Sequence, residues 1–176
     1  GIIVEKGTQG FTVENVNMLC TLDPPQLNGY MNFDDARVPV ANRIGDENEA
    51  FLGVMVGGLN FERLMICALT LGLMRASLKY AVYITERRMQ FGKRTIDFES
   101  NQYRIADMIT NLKLARLMTY YSAYLADLGE EPIIEATLLK IFAAESNSKA
   151  ALDAMECMGG DGLTTAYPSG SSQTNR

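Results

Sequence analysis

LARLMTYYSAYLADL, residues 114–128, is the stretch on which the fold turns. Leu114, Leu117, Met118, Tyr121, Tyr124, Leu125 and Leu128 return at i, i+3 and i+4, which makes one apolar stripe at helical period. Around it, leucine, methionine and alanine dominate from Gly45 to Gly159, with Pro132 the single proline of that span. The pattern predicts helices over 47–56, 59–90, 99–128 and 133–158, parted by Gly57-Gly58, by the Phe91-Gly92 loop and by Gly129-Glu130-Glu131-Pro132. Helices this long on short loops imply an antiparallel four-helix bundle, and the alanines around Ala143 and Ala150 let helices approach closely.

The first 45 residues read as β structure. Ile2-Ile3-Val4 and Phe11-Thr12-Val13 flank the turn Gly7-Thr8-Gln9-Gly10, Pro24-Pro25 and Asn28-Gly29 break the chain, and a further strand follows over 29–35. Val38-Pro39-Val40 is extended because proline restricts its predecessor. The expected class is therefore mainly α, with a few strands ahead of the bundle, and the expected divisions are 1–45, 46–168 and a small polar tail, 169–176, without order. No internal repeat is present.

Composition excludes several functions. With 176 residues, 47% hydrophobic and 21% charged, the chain can bury a core. A net charge of -5 leaves no basic field for nucleic acid or an anionic membrane. Histidine is absent, which removes Ser-His-Asp triads, Cys-His pairs and His-ligated zinc, so proton chemistry falls to Glu, Asp, Lys or Tyr. Cys20, Cys67 and Cys157 show no C-x-x-C spacing and suit a reducing compartment; no metal site is expected. The longest apolar run, Leu64 to Leu73, is too short to span a membrane, and no signal peptide is expected. A start without methionine reads as a processed, proteolysed or cut product.

Two places offer chemistry. Glu62-Arg63 sits near the start of a long helix among Leu59, Phe61, Leu64, Met65 and Ile66, where desolvation would favour the neutral carboxyl and make a general base. The residues alone favour the alternative, a solvent-facing glutamate complementing the helix dipole. The second place is a pair of glycine-containing helix ends, Arg87 to Gly92 and Met158 to Gly162, where open backbone and guanidinium forks could hold a phosphate-bearing cofactor. Either end taken alone reads better as a C-cap.

In chain order these segments resemble the acyl-CoA dehydrogenase family from Gly1 to Pro168. Gly1 to Phe11 looks like its "F-L-V-E-K-G-T-P-G-F", Phe33 to Gly45 like "F-x-D-x-x-V-P-x-x-N-x-x-G", and Arg88-Met89-Gln90-Phe91-Gly92 like "R-x-x-F-G". Ile105-Ala106-Asp107-Met108 is similar to "L-A-D-M", and Gly159-Gly160-Asp161-Gly162 with Tyr167-Pro168 to "G-G-x-G…Y-P". The resemblance implies an N-terminal helical domain, a middle β-domain ending here, and a C-terminal FAD-binding bundle assembled as dimers or tetramers. It implies FAD as cofactor, an acyl-CoA substrate oxidised to 2-enoyl-CoA, and electron-transferring flavoprotein as acceptor. Arg88, Phe91, Gly92, Glu156, Gly159 and Gly160 then fall at cofactor-binding positions.

Leu59-Asn60-Phe61-Glu62-Arg63-Leu64 is closest to the isovaleryl type, which carries its catalytic base on the first bundle helix; this makes Glu62 the base and Arg63 a substrate contact or a surface partner. The chain departs from the family at Glu99 and Glu156, where glutamines commonly face the adenosine diphosphate part of FAD, and acid there should weaken phosphate binding. It also departs over 22–28, which lacks the usual arginine and hydroxyl residues. The resemblance further implies sequence missing at both ends, an artificial or frameshifted tail, and a chain inactive by itself. A non-catalytic oligomerisation module and an acyl-CoA oxidase are the alternatives, and bacterial or archaeal cytoplasm and mitochondrial matrix both fit.

Overall fold

The computed structural model describes residues 1–16 and 28–164, the side chains of 52–54 excepted. The expected break at Pro24-Pro25, the departure over 22–27, Cys20, Tyr167-Pro168 and the expected tail lie outside these residues. Of the described residues, those up to Leu59 gather into one compact unit and those from Asn60 to Thr164 into another.

In the first unit, β1 (Phe11–Asn15) pairs antiparallel with β2 (Gly29–Phe33), Phe11 opposite Phe33, and these two rings stack at 5.0 Å between centroids. The expected strand at Ile2-Ile3-Val4 is reduced to a single bridge between Ile2 and Arg43. Ile3 N–H donates to Asn42 O at 2.9 Å and the Asn42 amide returns a bond to Ile3 O, so the start of the chain lies along the segment that leaves the strands.

The second unit is helical. Alpha helices α1 (Gly57–Arg87), α2 (Glu99–Asp127) and α3 (Ile133–Met158) are the long elements among the described residues, and α2 and α3 approach each other most closely. Gly57-Gly58 does not separate two helices: Ala50–Val56 winds as a π-helix and runs directly into α1. Glycine lowers helix stability by about 1 kcal/mol without forbidding the conformation, and continuous backbone bonding outweighs it here. Between α1 and α2, β3 (Met89–Gln90) and β4 (Lys93–Arg94) form a minimal hairpin in place of a plain loop.

The core is stacked in three layers along the helices. Cys67 meets Leu139 and Ala143; Met74 meets Leu112 and Ala115; Ala81 meets Ile105, Met108, Ala150, Ala154 and Cys157. This order makes neighbouring helices antiparallel. On α2 the buried face is Ile105, Met108, Leu112, Ala115, Thr119 and Ser122. The stripe expected to be the core is mostly on the other face: Leu114, Leu117, Tyr121, Tyr124 and Leu128 are exposed, while Met118 and Leu125 are half-buried and Met118 packs against the Cys67, Leu139 and Ala143 cluster. Both sets repeat at helical spacing, and the one with small residues is inside because it lets α3 come close. By length and composition α1 could cross a bilayer, contrary to the expectation from uninterrupted runs, because Arg75 and Lys79 break its apolar run without much lowering its average.

Candidate functional site

Glu62 lies in the second turn of α1 and is exposed. This is the solvent-facing glutamate that the residues alone favour: Phe61 is 67% and Met65 51% exposed, and neither withdraws the carboxylate from water. What α1 does supply is a surface. Glu62, Met65, Ile66, Leu69 and Leu73 recur on one helix face, all exposed, on the side away from the buried Cys67 and Met74. The carboxylate therefore heads an open apolar strip. Arg63, half-buried, points toward the core side, where its Nη1 donates to Asn60 Oδ1 at 2.6 Å.

The glycine-containing helix ends meet at the far end of α1. Phe91 (φ 51°) and Gly92 (φ 79°) are two successive left-handed residues at the hairpin tip, a turn in which a phenylalanine is unusual. Phe91 is 93% exposed, its ring edge-on to Phe98 at 6.3 Å. The hairpin base is fastened to α1: Thr95 N–H donates to Arg88 O at 2.8 Å, and Thr95 Oγ1 donates to Thr85 O at 3.2 Å. Arg88 Nη1 donates to Met158 O at 2.8 Å and stands 3.5 Å from Asp161 Oδ2, so it ties α1 to the end of α3. There Gly159 (φ 61°, ψ −135°) turns the chain, and a Cβ on it would meet Arg88 Nη1 at 3.2 Å.

The structure thus brings Arg88 against Gly159 at the end of α3, with Phe91-Gly92 at the tip of the hairpin that follows Arg88, and it leaves Glu62 and Arg63 elsewhere. Part of the Arg88 fork, expected to be available for phosphate, is already used on Met158 and Asp161. The acidic Glu156 does not face the site with a bare charge: its carboxylate accepts from Arg104 Nη2, and Arg104 also approaches Asp153 at 4.0 Å. Lys149 extends the ladder, 2.5 Å from Asp153 and 3.4 Å from Asp107, and its hydrogen bond to Asp153 raises its pKa. Glu99 is exposed in the first turn of α2, where the helix dipole favours acid. Burial pushes the Cys67 and Cys157 thiols up, which keeps them protonated and inert. Among the described residues no group of three or more Cys, Asp or Glu side chains is placed to hold a metal ion.

Sequence reading missed three partners: Asn60, Arg104 and Asp161. The first stands at i−3 from Arg63, a legible helical spacing. Arg104 and Glu156 are 52 residues apart, with no local signal to link them.

Comparison with known proteins sets this geometry in a family. The family described as acyl-CoA dehydrogenase, C-terminal domain, matches residues 52–175. An acyl-CoA dehydrogenase of Bacillus subtilis (strain 168) is 37% identical, the alignment covering 94% of this chain and 43% of that protein. A mitochondrial isovaleryl-CoA dehydrogenase of Oryza sativa subsp. japonica is 35% identical, over 96% of this chain and 41% of the relative. Among solved structures, PigA with FAD and proline superposes with a TM-score of 0.85 at 26% identity, over 93% of this chain and 42% of that one. The chain spans about two-fifths of the length of the relatives it matches. On its sequence and its helical fold alike, this chain belongs to the acyl-CoA dehydrogenase family.

Proposed function

We propose that the whole protein is a flavin-dependent acyl-CoA dehydrogenase in which Glu62 removes the α-proton of an acyl-CoA thioester and Arg63 helps to hold that substrate. The observation that supports this most is the position of Glu62 at the head of the exposed strip of Met65, Ile66, Leu69 and Leu73. An acyl thioester is complementary to such a face, with an acidic α C–H at one end and a hydrocarbon tail at the other. Covering the strip would exclude water and strengthen the carboxylate as a base.

The residues at the other end of α1 suit FAD. Gly92 and Gly160 leave open space around their backbones, Arg88 is an anchored cation with its outer edge toward solvent, and Phe91 offers an aromatic face to a flat ring. Glu156 would act there through its pair with Arg104. The chemistry that FAD supplies when bound is acceptance of the β-hydrogen as hydride, while the electron pair left at the α-carbon becomes the double bond of 2-enoyl-CoA. Glu62 and Arg88 are about 39 Å apart along one helix, at ~1.5 Å per residue, farther than a single FAD extends. This reading therefore places them at the sites of different copies, in a dimer or tetramer, with electron-transferring flavoprotein as the onward acceptor and the chain inactive by itself.

The test is Glu62→Gln in the whole protein, which should abolish flavin reduction by isovaleryl-CoA or butyryl-CoA while FAD stays bound. Undiminished reduction would sink the assignment. A second reading, a non-catalytic assembly module, draws on the exposed α2 face of Leu114, Leu117, Tyr121, Tyr124 and Leu128. It requires a discrete oligomer with no flavin absorbance.

A further inference from the structure

We infer that Asp161 is an internal counter-anion of Arg88: its carboxylate, 3.5 Å from the guanidinium, competes with the phosphates of FAD for that cation and so holds down the affinity of the site for its cofactor. The inference rests on the reading of Arg88 as a cofactor contact given above and names the residue that opposes the contact.

Two acceptors meet Arg88 in different ways. Met158 O takes a hydrogen bond from Nη1 at 2.8 Å, a link between α1 and the end of α3 that fixes where the guanidinium sits. Asp161 Oδ2 approaches the same nitrogen at 3.5 Å, beyond the ~2.7–3.2 Å of an ordinary N–H···O bond, so it balances charge without engaging the fork. Among the described residues no acceptor meets Nε or Nη2, which carry most of the guanidinium's N–H donors. The side chains of Arg88 and Asp161 are 35% and 53% exposed, so water screens the pair and it adds little to stability. A phosphate is the stronger partner, since its oxygens can take the open edge of the fork with two parallel hydrogen bonds. The surroundings permit the exchange. A Cβ at Gly160 would meet nothing within 4 Å, so a ligand can come up to that backbone. The main chain of Asp161 is held, its carbonyl accepting from Thr164 N–H at 3.1 Å and from Thr164 Oγ1 at 2.8 Å, so displacement needs only a rotation of the exposed carboxylate. Glu156 differs, because Arg104 is its own cation and an acid there does not draw on Arg88.

The experiment compares the wild-type whole protein, stripped of flavin, with Asp161→Asn, Arg88→Gln and the double variant. The dissociation constant of FAD is measured by calorimetry at low salt and at about 1 M salt, where charges a few ångströms apart are screened. Asp161→Asn should tighten FAD binding about fivefold at low salt, because the phosphates no longer compete with a carboxylate, and the gain should shrink at high salt. Arg88→Gln should weaken binding, and in that background most of the gain from Asp161→Asn should disappear. Equal or weaker binding by Asp161→Asn overturns the assignment. So does a gain undiminished in the Arg88→Gln background, which would mean that the new amide itself binds the ligand. Where Arg88→Gln does not fold or titrate, the two salts decide, and a gain equal at both overturns the assignment. Failure of the wild-type protein and Asp161→Asn alike to bind FAD overturns the functional reading itself, and this assignment with it.

Discussion

Arg88 shows how a residue read as a ligand can first be a fastener. Its guanidinium satisfies Met158 O, one of the carbonyls left over at the end of α3, and balances Asp161 in the turn beyond. Arg88→Ala should therefore cost about 1–2 kcal/mol in denaturant titration, and Arg88→Lys should recover little of it, since an ammonium does not reproduce the fork. The two buried thiols make a separate prediction. Burial raises the pKa of Cys67 and Cys157 in the folded state, so below the unfolded value of about 8.5 both states are protonated and stability is unaffected. As pH rises through that value the unfolded state ionises first, and stability should fall; double replacement by alanine should flatten that slope. At this scale the sequence identifies Glu62 as a candidate because of its apolar neighbours. It does not disclose that Phe61, Met65 and Ile66 are exposed while Leu64 packs against the core, because exposure depends on what packs against the opposite side of α1.

Among the elements, α2 and α3 are nearly as their periodicity predicts, α2 ending at Asp127 and α3 spanning Ile133–Met158. Boundaries were legible there because Gly129 and Pro132 mark them with local chemistry. The start of α1 was misread because glycine only weakens a helix, and the hairpin was missed because strands of two residues have no periodicity. Most of the α2 stripe was misassigned, Met118 and Leu125 excepted, because both faces are periodic. The faces should respond differently to truncation. Leu139→Ala, at a side chain with no exposed surface, should cost about 2–5 kcal/mol, whereas Leu117→Ala in the isolated chain should stay within about 0.5 kcal/mol. Equal losses in thermal or denaturant unfolding would contradict the assignment of inside and outside.

For the whole molecule, family membership was legible from short motifs in sequence order, each too weak by itself to carry the inference. The ~39 Å between Glu62 and Arg88 was legible too, because the helix expected over 59–90 holds both at ~1.5 Å per residue. Charge has little influence on which packing is adopted, since the acids and bases of α2 and α3 lie at the rim of their contact. Volume decides it. If α2 turned by about half a revolution it would present Leu117, Tyr121 and Tyr124 to α3, a greasier surface than the native Ala115, Thr119 and Ser122 but too bulky for the close approach that Ala143 and Ser146 permit. The uniqueness of the fold is thus encoded in what is left out of the interface, and enlarging one small residue, as in Ala115→Leu, would take from the native face the close approach that sets it above the wrong docking.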